Sequence, residues 1–79
     1  MANARDPQPV LGEAIRRIRH RAGLSQEELA HQADLHPTGL SKIERGHSNP
    51  SWSTVRRIAR ALDVTLGEMV LLVERIELE

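Results

Sequence analysis

The segment from Ser25 to Gly46, SQEELAHQADLHPTGLSKIERG, leaves the chain little choice of local structure. Ser25 can accept from the backbone N–H three residues on while Glu28 reaches back, so Ser-x-x-Glu forms a capping box that starts a helix. Leu29, Ala30 and Ala33 give that helix its apolar stripe. Asp34 and Leu35 then make a turn, and Pro37 opens a second helix at a position where its missing N–H costs nothing. Leu40 and Ile43, three apart, can pack back onto Leu29 and Ala33, and Gly46 closes the helix with a left-handed backbone. So short a turn prevents the two helices from lying antiparallel. They must cross steeply, and Ala30 is small enough to let the second approach the first.

The flanking sequence supplies three more helices. Val10 to Ala22 carries Leu11, Ile15, Ile18 and Ala22 along one stripe and stops at Gly23. Ser51 caps a helix whose inward stripe is Val55, Ile58, Ala59 and Leu62. Thr65 and Glu68 form a second capping box, followed by Leu66, Met69, Val70, Leu72, Val73 and Ile76. The expected fold is therefore an all-α, compact five-helix domain over residues 10–70. A loose, polar arm at 1–9 precedes it and an extension at 71–79 follows. Residues 71–78 also alternate enough to read as a strand pairing across a dimer, but helix to about Arg75 is favoured. The last segment has more apolar surface than one face needs. Met69, Leu72, Val73 and Ile76 are accordingly expected to be covered by a second copy of the chain.

Two steeply crossed helices with a short turn are the spacing that points a second helix outward into a DNA groove. The segment resembles the helix-turn-helix of the phage repressor and Cro family, the XRE-type regulators. The matching residues are Leu24-Ser25-Gln26-Glu27-Glu28-Leu29-Ala30, the apolar Leu35 and Leu40, and Ile43-Glu44-Arg45-Gly46. The likeness continues through Asn49-Pro50-Ser51 and through Val55 to Val64 and Glu68. It implies a short stand-alone transcriptional regulator that binds double-stranded DNA as a homodimer, of the kind that includes restriction–modification controllers. It also implies that Arg19 pairs with Glu44, tying the first helix to the recognition helix; a bidentate Arg–carboxylate fork fixes direction as well as distance.

Within that motif, Pro37, Thr38, Ser41 and Lys42 are the expected base contacts, because outward residues at the start of the second helix reach base edges. Lys42 suits the O6 and N7 of guanine. Expected phosphate contacts are Gln26, Arg45, His47, Ser48 and Asn49. Arg5 could reach a neighbouring groove from the arm. Arg16, Arg17 and Arg21 read as a solvated basic face, and Trp52, the only aromatic residue, as a lid on the core rather than a contact near the DNA backbone. The sequence departs from the family pattern in three places: Asp34 stands where glycine is common in the turn, His36 where a Ser or Thr cap is usual, and Gly39 lies inside the second helix.

A net charge of zero argues at first against a nucleic-acid partner, but the charge is unevenly distributed. Ten cationic side chains stand against six carboxylates up to Arg60, and one against five beyond it, so the basic end can face DNA and the acidic end face away. With 79 residues the chain is one domain, and with no cysteine it has neither disulfides nor thiolate metal sites. No signal peptide or membrane-spanning run is present, which predicts a soluble cytoplasmic protein with no membrane partner. His20, His31, His36 and His47 lack the one-face spacing of a zinc site, and neither a phosphate-cradling loop nor a carboxylate pair is evident. No metal, cofactor or enzymatic activity is expected. The alternative function is an antitoxin-like module that holds a protein partner through the C-terminal apolar segment.

Overall fold

The structure, a computed structural model, describes residues 6–79. Its five helices are α1 (Pro9–Arg21), α2 (Gln26–Gln32), α3 (Pro37–Glu44), α4 (Trp52–Ala61) and α5 (Leu66–Glu77). Four of them begin on a side-chain cap. Ser25, Ser51 and Thr65 accept from the N–H groups of Glu28, Thr54 and Glu68, and both the Ser25 and Thr65 capping boxes are closed. α3 starts differently: Nδ1 of His36 accepts from the Thr38 N–H at 3.2 Å.

One turn design ends the first four helices. The N–H groups of Leu24, Leu35, His47 and Val64 reach back to the carbonyls of Arg19, Ala30, Lys42 and Ala59 at 2.8–3.2 Å. The residue before each donor is left-handed: Gly23, Asp34, Gly46 and Asp63 have φ of 73°, 56°, 75° and 57°. Aspartate fills two of these sites because it tolerates that region better than most side chains. Leu24, Leu35 and Val64 then fold onto the core, so three of the four chain reversals are held by a hydrogen bond and an apolar contact together.

The largest fully buried side chains are Ile15, Leu29, Leu40, Ile58 and Met69, one from each helix. Met69, a member of the expected dimer surface, is therefore a core residue at 1% exposure. The other three members of that set, Leu72, Val73 and Ile76, are half-buried on α5. The boundary expected at residue 70 falls inside α5, because no proline interrupts the helix and its inward stripe continues past that point. The strand reading of 71–78 fails for the same reason. At the other end Pro9 is already helical and the Gln8 N–H donates to the Ser48 carbonyl at 3.1 Å, so residues 8 and 9 belong to the folded part rather than to the arm. Arg5 lies outside the described residues.

Trp52 also departs from expectation. As the first residue of α4 it stands beyond the edge of the stripe Val55, Ile58, Ala59 and Leu62, and it is 62% exposed rather than a lid. Arg16 and Arg17 are more than a solvated face. Both donate to Glu13 at 2.8–3.0 Å, and Arg17 donates twice more to Glu79 at 2.8 Å, joining α1 to the end of the chain. The acidic end thus folds back onto the basic helix, so the two charges are less segregated than the sequence suggests.

α1 crosses the C-terminal end of α3 at Gly12. A Cβ there would run into the Ile43 carbonyl and stand 3.1 Å from the Glu44 carbonyl oxygen, both rigid backbone. Gly12→Ala is therefore expected to lose about 1–3 kcal/mol by forcing the helices apart; urea unfolding measures it, and an unchanged midpoint would refute the close crossing. The Arg16 and Arg17 guanidiniums hold the Glu13 carboxyl down from 4.5 to about 2. A depressed carboxyl stabilises the fold above its unfolded value and loses that effect as pH falls through the folded one. Wild type should therefore lose more stability than Glu13→Gln as pH falls from 4.5 to about 2, with a small amplitude because the pairs are partly exposed. Thermal melts across that range check it.

Candidate nucleic-acid interface

The proposed reading face is one side of α3, and its other side explains why it is presented. Leu40, Ile43 and Glu44 are buried, whereas Pro37, Thr38, Gly39, Lys42 and Arg45 are exposed and Ser41 is half-buried. A helix of eight residues is too short to be stable alone, so its direction is set by what its buried side touches.

The firmest of those contacts is ionic. Arg19 Nε donates to Glu44 Oε2 at 2.8 Å and Arg19 Nη2 to Glu44 Oε1 at 2.9 Å, a bidentate fork between α1 and α3. The two side chains are 9% and 1% exposed. Arg19 Nη1 also donates to the Leu24 carbonyl at 2.8 Å, and Gln26 Nε2 donates to Glu44 Oε1 at 3.0 Å. The first turn of α2, the end of α1 and the end of α3 are thereby gathered on one carboxylate. The resemblance supplied the pair, but the sequence reading assigned Gln26 only to a phosphate. Its position at the helix start, one residue after a cap, carries no sign of a bond to a residue eighteen positions away.

The other expected phosphate contacts are spread around this end of the molecule. Arg45 is exposed, with Nε 3.4 Å from the Ser41 carbonyl, and His47 and Asn49 are exposed on the loop between α3 and α4. Ser48 is half-buried, with its hydroxyl enclosed and its carbonyl accepting from the Gln8 N–H. On the far side of the turn, Arg57 approaches the Asp34 carboxylate at 3.9 Å and the Asp34 carbonyl at 3.5 Å. That contact links α4 to the α2–α3 turn and had no sequence signal. Among the described residues no group of three or more His, Asp or Glu converges as a metal site. None of their helices is long and apolar enough to cross a membrane.

This architecture defines a helix-turn-helix protein. A family model for a helix-turn-helix domain matches residues 10–72, and the chain belongs to that family. Particular relatives narrow the class. The chain is 43% identical over 56 residues to the control protein C.BamHI of Bacillus amyloliquefaciens, covering 70% of this chain and 69% of that one. It is 38% identical over 60 residues to the immunity repressor of Bacillus phage phi105, covering 76% of this chain and 42% of the repressor. Among solved structures, the restriction–modification controller protein C.Esp1396I superposes with a TM-score of 0.84 at 27% identity, over 89% of this chain and 92% of that one. The same controller, as a tetramer in complex with its natural 35 base-pair operator, also gives 0.84.

Arg19→Ala leaves the Glu44 charge buried without its fork, and is expected to destabilise the fold by about 3–5 kcal/mol. Replacing both residues with methionine should recover much of that loss in chemical denaturation, because no uncompensated charge then remains. Equal losses in the single and double variants would contradict this account.

Proposed function

We propose that the chain is a sequence-specific DNA-binding transcriptional regulator acting as a homodimer on a roughly palindromic operator in the cytoplasm. The observation that carries this reading is an outward polar face on α3, held by a buried ion pair and a close helix crossing at its other end. Thr38, Ser41 and Lys42 meet base edges, and the Pro37 ring lies near a thymine methyl. Arg45, His47 and Asn49, with the free face of Gln26, hold the phosphates and set the register. The reading is supported by the operator complex of C.Esp1396I, a controller of the same fold. It is a binding function, with control exerted through occupancy of the site.

The second copy docks on the flank of α5 that carries Leu66, Val70 and Val73. That flank joins Leu11, Pro50 and Trp52 in an apolar groove of about 310 Å³. Val70 is 47% exposed and Trp52 62%, a patch that a lone soluble domain seldom leaves open. Met69, though 1% exposed, also lines this groove and Val70 supplies its open flank, whereas Leu72 and Ile76 are not among its lining residues. The groove also adds Trp52, whose exposure is otherwise unexplained.

Sedimentation of the purified chain, followed by selection from a random duplex pool at two salt concentrations, tests both halves. A dimer that selects a palindrome with half-sites about 34–36 Å apart is expected, with affinity falling steeply with salt. Lys42→Ala should relax one position of the selected site by about 1–3 kcal/mol, and Val70→Asp should give a folded monomer. A wild-type monomer with only weak, unselective DNA binding would overturn the regulator reading and favour an antitoxin-like module whose protein partner covers the same groove.

A further inference from the structure

A second groove lies on the other flank of α5, where α1 and α4 come to their ends. Ile18, Leu62, Val64 and Leu72 form its apolar floor, and its volume of about 450 Å³ exceeds that of the groove beside Trp52. Leu71 stands at its edge and is 53% exposed, which neither the core nor the docking of a second copy on the Val70 flank explains. Small-molecule sites are of this size, mostly apolar, with a few placed polar groups that fix the orientation of the ligand.

The placed polar groups here are arginines. Arg21 closes α1 and Arg75 lies near the end of α5, and both line the groove. Neither makes an ion pair or hydrogen bond among the described residues, whereas Arg16, Arg17 and Arg19, on the same helix as Arg21, are all held by carboxylates. Arg75 has Glu79 four residues on, yet that carboxylate goes to Arg17. One acid, Glu68, also lines the groove, but its Oε1 accepts from the Thr65 N–H in the capping box. The wall is therefore net positive, while the groove given to the second copy has no charged side chain in its wall. A copy docked here about a two-fold axis would bring like arginines together, which opposes association. The occupant that suits this surface has an apolar body and a negative end, since paired N–H donors of a guanidinium match a carboxylate. We propose that the groove between α1, α4 and α5 is a binding site for a small carboxylate with an apolar chain or ring, held at its charged end by Arg21 and Arg75. This site is independent of the DNA-binding reading and of the dimer groove.

Isothermal titration calorimetry of the full chain tests it, with decanoate below its micelle concentration, with phenylbutyrate, and with decyltrimethylammonium as an amphiphile of opposite charge. Saturable binding of at least one carboxylate is expected, and none of the cation. Arg21→Gln combined with Arg75→Gln changes two exposed positions, so the variant should melt close to wild type. It should bind the carboxylate about tenfold more weakly, the order of a lost charge-assisted hydrogen bond. Lysine at both positions should keep part of the affinity, because the charge remains and the fork does not. Trp52 lines the other groove, so its emission should not change on binding. Failure of both carboxylates to bind, equal binding of the cation, undiminished binding by the glutamine variant, or a shift in Trp52 emission at saturation would each overturn the site. The regulator reading would survive any of these, since it stands or falls on duplex selection.

Discussion

Glu44 is a carboxylate in the last turn of α3, where the helix dipole is unfavourable to negative charge, and its side chain is almost wholly removed from water. It can stay there only with a cation in place. Arg19 provides one from the last turn of α1, where a positive side chain suits the dipole of its own helix. Two charges in low-dielectric surroundings must meet in good geometry or cost more than they return, and here both oxygens are engaged by the fork. Gln26 closes the third side. The direction of α3 therefore follows from chemistry at one end, and the opposite end is free to carry residues that serve a partner rather than the fold.

The crossing at Gly12 sets the distance in the same region where the ion pair sets direction. Carbonyls at the end of α3 lie against the one residue of α1 that has no Cβ, so the helices approach closely while the fork fixes their rotation. Four left-handed turns then fold the chain so that each helix delivers one large side chain to a common centre. A core built from one fully buried large residue per helix has few redundant contacts. Fixing the ends of short helices with capping boxes and six-to-one turns offsets part of what so small a core lacks.

The exposed apolar residues lie apart from this machinery. Trp52 and Val70 face a groove between the start of α4 and the flank of α5, whereas the polar face of α3 is free of large apolar side chains. The two kinds of surface are thus kept apart, an apolar groove on one flank and a polar helix face on another. The pairing of Glu79 with Arg17 fastens the end of the chain to α1.

Much of this was legible in residue order because it depends on neighbours in the chain. The Ser25 and Thr65 boxes, the Pro37 start and the Gly46 stop each involve residues within one helical turn. Apolar spacing alone assigned Ile15, Leu29, Leu40 and Ile58 to the interior. The pairing of Arg19 with Glu44 was available only through family resemblance, since twenty-five residues separate them. What only the tertiary structure decided was how far each stripe reaches the centre. Met69 and Val70 are adjacent and both apolar, yet one is enclosed and the other half open, because a turn of 100° per residue carries a side chain from core to flank. Trp52 follows an inward spacing but lies past the edge of the layer, Gln26 finds its partner across a helix crossing, and Gly12 is set by a backbone no local pattern announces. The sequence determined the helices, their ends and their inward faces, which are short-range matters of capping and periodicity. Burial at a boundary and contact between distant helices depend on where whole elements come to rest, and that was decided only in three dimensions.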